Sequence, residues 1–101
     1  MNKTPEQIAA MVPEHMSRGL LAYINHGQRP GGFLRAVLEN QLLESFKKAD
    51  LVNQLAMLQW ASVLEHIPWM AWGSAEKVDA WITRGGLTGS TLETPDQIID
   101  S

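Results

Sequence analysis

At 101 residues and 11.2 kDa, with 45% hydrophobic and 19% charged residues, the chain has the size and composition of one folded domain that needs no metal or disulfide staple. Its net charge of −3 argues against duplex nucleic acid as a partner, because affinity there comes from neutralising phosphates. With no cysteine, the chain has no disulfide framework, thiol catalysis or cysteine-ligated zinc.

Helix start and stop signals divide the chain into four or five short helices packed as an all-α bundle. Thr4-Pro5-Glu6-Gln7 reads as a capping box with proline in the first turn, opening a helix to about Met11. Pro13 ends that helix and starts a second, which runs to His26 and stops at Gly27. Glu14 and Arg18 stand four apart on it, a spacing suited to an ion pair. After the turn Gly27-Gln28-Arg29-Pro30-Gly31-Gly32, a third helix is expected from about Gly31 to Lys48. Its ladder Leu34, Leu38, Leu42 and Phe46, widened by Phe33, Val37 and Leu43, is apolar around much of the circumference. Such a helix is either central in the core or shared with a second subunit.

Asp50 can cap a fourth helix over 51–66, whose polar positions Asn53, Gln54 and Gln59 are amides rather than charges. That poverty of charge predicts self-association through the third and fourth helices. Pro68 ends the fourth helix, Trp69 to Gly73 forms a loop, and Ser74 caps a fifth helix over 75–84. Val78, Trp81 and Ile82 make its inward face, and Gly85-Gly86 ends it. The domain is thus expected over 1–86. Residues 87–101 read as a tail, with a short helix from Pro95. The opening residues lack the apolar run of a signal peptide, and the most apolar stretch, Leu51 to Ala75, is interrupted by polar residues and Pro68, so no membrane span is expected.

Motifs for catalysis are missing. His15 and His26 share a helix face but would lie ~16 Å apart, too far to hold one metal. No nucleophile elbow, Walker-type loop or His-Glu-x-x-His occurs, so neither a metal nor a cofactor is expected and the chain reads as a binder rather than an enzyme. Two clusters could bind. In the glycine turn, Gly31 and Gly32 would expose free N–H groups at a helix start, flanked by His26, Arg29 and Arg35, which has the parts of an anion site. The same residues also suit a plain helix–helix turn. Trp60, Trp69, Trp72 and Trp81 fall within 22 residues, either as packing between helices or as stacking faces for a ligand, with Trp69 and Trp72 the candidates for the second role.

Pro13-Glu14-His15, Pro30-Gly31-Gly32-Phe33-Leu34, Ala36-Val37-Leu38, Asn40, Ala49-Asp50, Asn53, Pro68, Trp72-Gly73-Ser74, Val78 and Trp81 occur in an order that resembles a family of small tailed-bacteriophage proteins, mostly without assigned function. The resemblance covers roughly residues 12–86. It departs at Asn40-Gln41 and Leu64-Glu65. It implies a phage origin and action in the host cytoplasm, and it carries no catalytic residues. Two functions fit such a protein. One is an oligomeric sponge for an anionic nucleotide signal of host anti-phage defence, using the glycine turn. The other is an inhibitor or adaptor that binds a host or phage protein through a helical surface.

Overall fold

The computed structural model describes residues 3–89. They are all-α: α1 (Pro5–Ala9), α2 (Glu14–His26), α3 (Gly32–Leu38), α4 (Leu42–Lys48), α5 (Leu51–Leu55), α6 (Met57–Leu64), a 3-10 turn (Trp69–Ala71) and α7 (Ala75–Arg84). Among the described residues there is no strand, and no helix is long and apolar enough to cross a membrane. The expected helix starting at Pro95 lies outside the described residues.

The predicted caps form. Thr4 accepts from the Gln7 N–H while the Gln7 side chain accepts from the Thr4 N–H, at 3.1 and 2.9 Å. Asp50 accepts from the Asn53 N–H at 2.8 Å, and Ser74 from the Lys77 N–H at 3.2 Å. That bond from Asn53, helped by His15, whose ring nitrogen lies 3.0 Å from Asp50, holds the Asp50 carboxyl below the usual carboxylate range. Gly27 and Gly85 end α2 and α7 in the left-handed region, with φ of 68° and 85°. The Glu14–Arg18 pair does not form; both side chains are exposed and neither joins an ion pair.

Two long predicted helices are each broken, which is why seven α-helices appear among the described residues where four or five are expected. The expected third helix stops at Leu38. Asn40 takes a φ of 63°, the Gln41 N–H reaches back to the Ala36 carbonyl at 2.9 Å, and the Asn40 N–H reaches Val37 at 3.0 Å. This left-handed closure satisfies the last carbonyls of α3, and asparagine tolerates it better than most residues. The expected fourth helix is interrupted at Ala56 (φ −100°, ψ 15°), separating α5 from α6.

The breaks redistribute the apolar ladder. Leu34 and Leu38 are buried with Phe33 and Val37, whereas Leu42 and Phe46 turn out toward solvent. The core gathers Ile8 of α1, Leu20, Tyr23 and Ile24 of α2, the face of α3, Trp60 and Val63 of α6, and the predicted inward face of α7, Val78, Trp81 and Ile82. Its aromatic groups have partners for their polar ends, as burial demands. The Tyr23 hydroxyl donates to the Ala71 carbonyl at 2.5 Å, and the Trp81 Nε1–H donates to the Tyr23 carbonyl at 2.9 Å. The Trp60 Nε1–H donates to Asn53 Oδ1 at 3.2 Å, so Asn53 is a buried acceptor rather than one of the outward amides. Phe33 meets Trp60 edge to face, centroids 5.3 Å apart.

The C-terminal ends of α2 and α7 meet at glycine. A Cβ on Gly86 (φ 69°) would lie 2.5 Å from backbone atoms of Asn25 and His26. This close approach lets the Leu87 and Thr88 N–H groups bond the Ile24 and Asn25 carbonyls, at 3.0 and 2.9 Å. Carbonyls that α2 leaves without helical partners are thereby satisfied. Residues 87–89 thus pack against the ends of α2 and α7.

Candidate functional site

The glycine turn is built differently from an anion cradle. Gly31 is extended (φ −71°, ψ 178°) and precedes α3, which has only seven residues. Nothing lies within 4 Å of a Cβ placed on Gly31, and on Gly32 a Cβ would meet only the Lys48 side chain at 3.4 Å. Neither backbone angle nor packing therefore demands glycine at position 31, and the turn leaves this backbone open. Arg29 is exposed beside it.

Arg35 is not available in the same way. Its Nε donates to Glu39 at 2.5 Å and its Nη2 to Asp79 at 2.6 Å, tying α3 to α7. The bond to Asp79, and then that to Glu39, raises the Arg35 pKa further above its ordinary value. The adjoining cleft, about 250 Å³, is lined by Gly32, Arg35 and Lys48 together with Glu39 and Glu44, so its charges balance. Two carboxylates cancel the field an anion would need, and an arginine already forked onto two acids has little left to offer one. The half-buried His26 has its ring nitrogen 3.1 Å from the Thr88 hydroxyl, in the joint between α2 and the chain after α7.

The tryptophans separate by burial. Trp60 and Trp81 are core residues, and Trp72 packs half-buried against the core. Trp69 is 73% exposed and carries the Lys77 ammonium over its ring, 5.3 Å from the centroid. Neither Trp69 nor Trp72 lines the cleft that holds Gly32 and Arg35, so the structure does not assemble the sequence candidates into one pocket. No group of three or more His, Asp or Glu side chains suited to a metal occurs among the described residues.

The surface of the expected third and fourth helices, through which the sequence predicts self-association, is the outer face of α4, α5 and α6. Leu42, Leu43, Phe46, Leu51, Val52, Leu55 and Leu58 are all exposed within a stretch of 17 residues, Leu58 at 84% and Leu55 at 78%. Between α4 and α6 runs an open groove of about 430 Å³, lined mainly by apolar groups: Val37, Leu42, Phe46, Met57, Leu58 and Leu64, with Asn40, Gln41 and Ser45 among its polar members. The Ser45 hydroxyl is internally satisfied, donating to the Leu42 carbonyl at 2.7 Å. The surface signal was in the sequence: the Leu42–Phe46 half of the ladder, and the absence of any charge from Leu51 to Leu64. Locating it required the break at Asn40, which turns α4 out of the core.

The chain matches no family model, no curated protein and no solved structure.

Proposed function

We propose that the chain is a non-enzymatic binding protein whose working contact is another polypeptide, laid on the apolar face of α4, α5 and α6. The observation that carries this reading is the seven exposed large apolar side chains of α4, α5 and α6, three of which, Leu42, Phe46 and Leu58, line the groove between α4 and α6. Monomeric soluble proteins rarely expose contiguous apolar patches above a few hundred Å², and larger ones mark interaction sites. A groove walled by leucine, phenylalanine and methionine suits the apolar face of an amphipathic helix. Given the phage origin that the sequence resemblance implies, the partner is a host or phage protein in the host cytoplasm, which the chain blocks or recruits.

A second reading, the nucleotide sponge, keeps one point in its favour: Gly31 is glycine where neither angle nor packing requires it, beside the exposed Arg29. Against it stand the double pairing of Arg35 and the carboxylates of the neighbouring cleft. Two measurements separate the readings. A benzophenone amino acid in place of Leu58 is expected to crosslink to a discrete polypeptide other than the chain itself when the protein is expressed in host cells, and one in place of Arg29 is not. Cyclic and linear nucleotides are expected to leave the melting temperature unchanged, since a ligand that binds only the folded state raises it. A nucleotide-dependent rise that Arg29→Ala abolishes would transfer the function to the anion reading.

A further inference from the structure

We infer that, when no other protein is bound, the α4–α6 face is covered by a second copy of the chain, in a two-fold pair. The inference rests on the reading of this face as a docking surface and names its resident occupant. Three observations support a second copy.

The first is area. Seven large apolar side chains of α4, α5 and α6 are exposed, six of them by more than half. Covering them all would bury an area on the order of the ~800 Å² per partner of a standard stable interface.

The second is shape. A two-fold contact sets one surface against itself, so the surface must be self-complementary. Leu51 and Leu55 stand four apart on α5 and are 68% and 78% exposed. The groove is lined by Leu42 and Phe46 of α4 and by Leu58 of α6. In the inferred pair the exposed leucines of one copy enter the groove of the other, and two-fold symmetry repeats the contact.

The third is charge. No Asp, Glu, Lys or Arg occurs from Leu51 to Leu64, so nothing at the centre of the patch repels its own image. Along α4 and into the start of α5 the charges are mixed, with Glu44 and Asp50 balanced by Lys47 and Lys48. A partner chosen by charge would need a field of one sign here. A neutral centre with a balanced edge suits a copy of itself.

The pairing has a consequence for the binding function. A foreign partner and the second copy compete for one surface, so the chain engages its partner only by giving up its own copy, and dilution favours the open form.

The test is the mass of the purified full chain by sedimentation equilibrium, from low micromolar to high micromolar concentration. The expected result is a concentration-dependent rise from 11.2 kDa to twice that value. Leu55→Glu with Leu58→Glu should return the mass to a single chain at every concentration, with the helical circular dichroism of the parent, since both positions are exposed. Leu42→Lys, on the opposite wall of the groove, should independently weaken the pair at least tenfold, which covers the case in which the double variant fails to fold. A single-chain mass at the highest concentration overturns the inference, as does a pair that survives both sets of substitutions. In either case the crosslinking from position 58 still decides whether the face docks another protein.

Discussion

Replacing Gly86 with alanine should cost about 3–5 kcal/mol, because it acts on the joint between two helix ends rather than on a side-chain contact. Gly86 has a φ of 69°, and its added Cβ would fall 2.5 Å from the Asn25 carbonyl carbon and the His26 nitrogen, well inside contact distance. The left-handed angle alone costs roughly 1–2 kcal/mol for a residue with a Cβ. Relieving the overlap moves the chain after α7 away from α2, which breaks the bonds from Leu87 and Thr88 to Ile24 and Asn25. Carbonyls left without partners in a partly buried joint cost about 1–3 kcal/mol each, of which solvent recovers some. Against a total stability of about 5–15 kcal/mol this is a large fraction. Urea unfolding followed by tryptophan fluorescence measures it, since Trp60 and Trp81 are buried. At a slope near 2 kcal/mol/M the midpoint should fall by about 2 M. Gly31→Ala is the matched control: its angle is ordinary and the space is open, so stability should hold or rise by up to ~1 kcal/mol through a stiffer unfolded chain. A Gly86→Ala protein within about 1 kcal/mol of the parent would refute the joint as a close-packed element, as would a control equally destabilised.

Two further predictions follow from the buried polar groups. Tyr23 is the chain's single tyrosine, so its near-ultraviolet absorbance titrates one group, and burial raises its pKa well above the ordinary value near 10. Its contribution to stability is therefore full below pH about 10 and is lost as pH rises through the raised value; the folded protein should show no tyrosinate at pH 10, and Tyr23→Phe should remove this part of the alkaline loss. Tyrosinate appearing in the folded protein near pH 10 would contradict the burial. Asn53→Ala leaves the buried Trp60 Nε1–H without its acceptor and should lower stability by about 1–3 kcal/mol in the same urea assay; a neutral result would mean that the bond contributes nothing net.

The local devices were legible from residue identity alone. Thr4 with Gln7, Asp50, Ser74, Gly27 and Gly85 do what their chemistry predicts, because a cap acts within one turn and needs no distant partner. So was the inward face of α7, whose apolar spacing suits burial on one side only. The break at Asn40 was hidden. An asparagine between apolar turns is compatible both with a continuing helix and with a left-handed stop, and the apolar ladder from Leu34 to Phe46 runs straight through it. Asn53 was misplaced for a related reason: its amide reads as a surface group until a tryptophan seven residues on turns its N–H toward it. In the candidate anion site, the sequence showed arginines near glycines but not the acids that claim one of them, because Asp79 is 44 residues from Arg35 and meets it only through the packing of α7 on α3.

The sequence by itself determined that this chain is helical, where most of its helices begin and end, and that the stretch from Phe33 to Phe46 holds more apolar side chain than one helix face can bury. It also reduced the third helix to two outcomes, core or shared surface. The tertiary structure split it instead: α3 went to the core and α4 to the outside. Capping and periodicity act over a few residues and can be read locally. Whether a leucine is covered depends on what else the chain can bring to it, and once α2, α6 and α7 have closed around α3, no described helix remains to cover the leucines of α4 and α5.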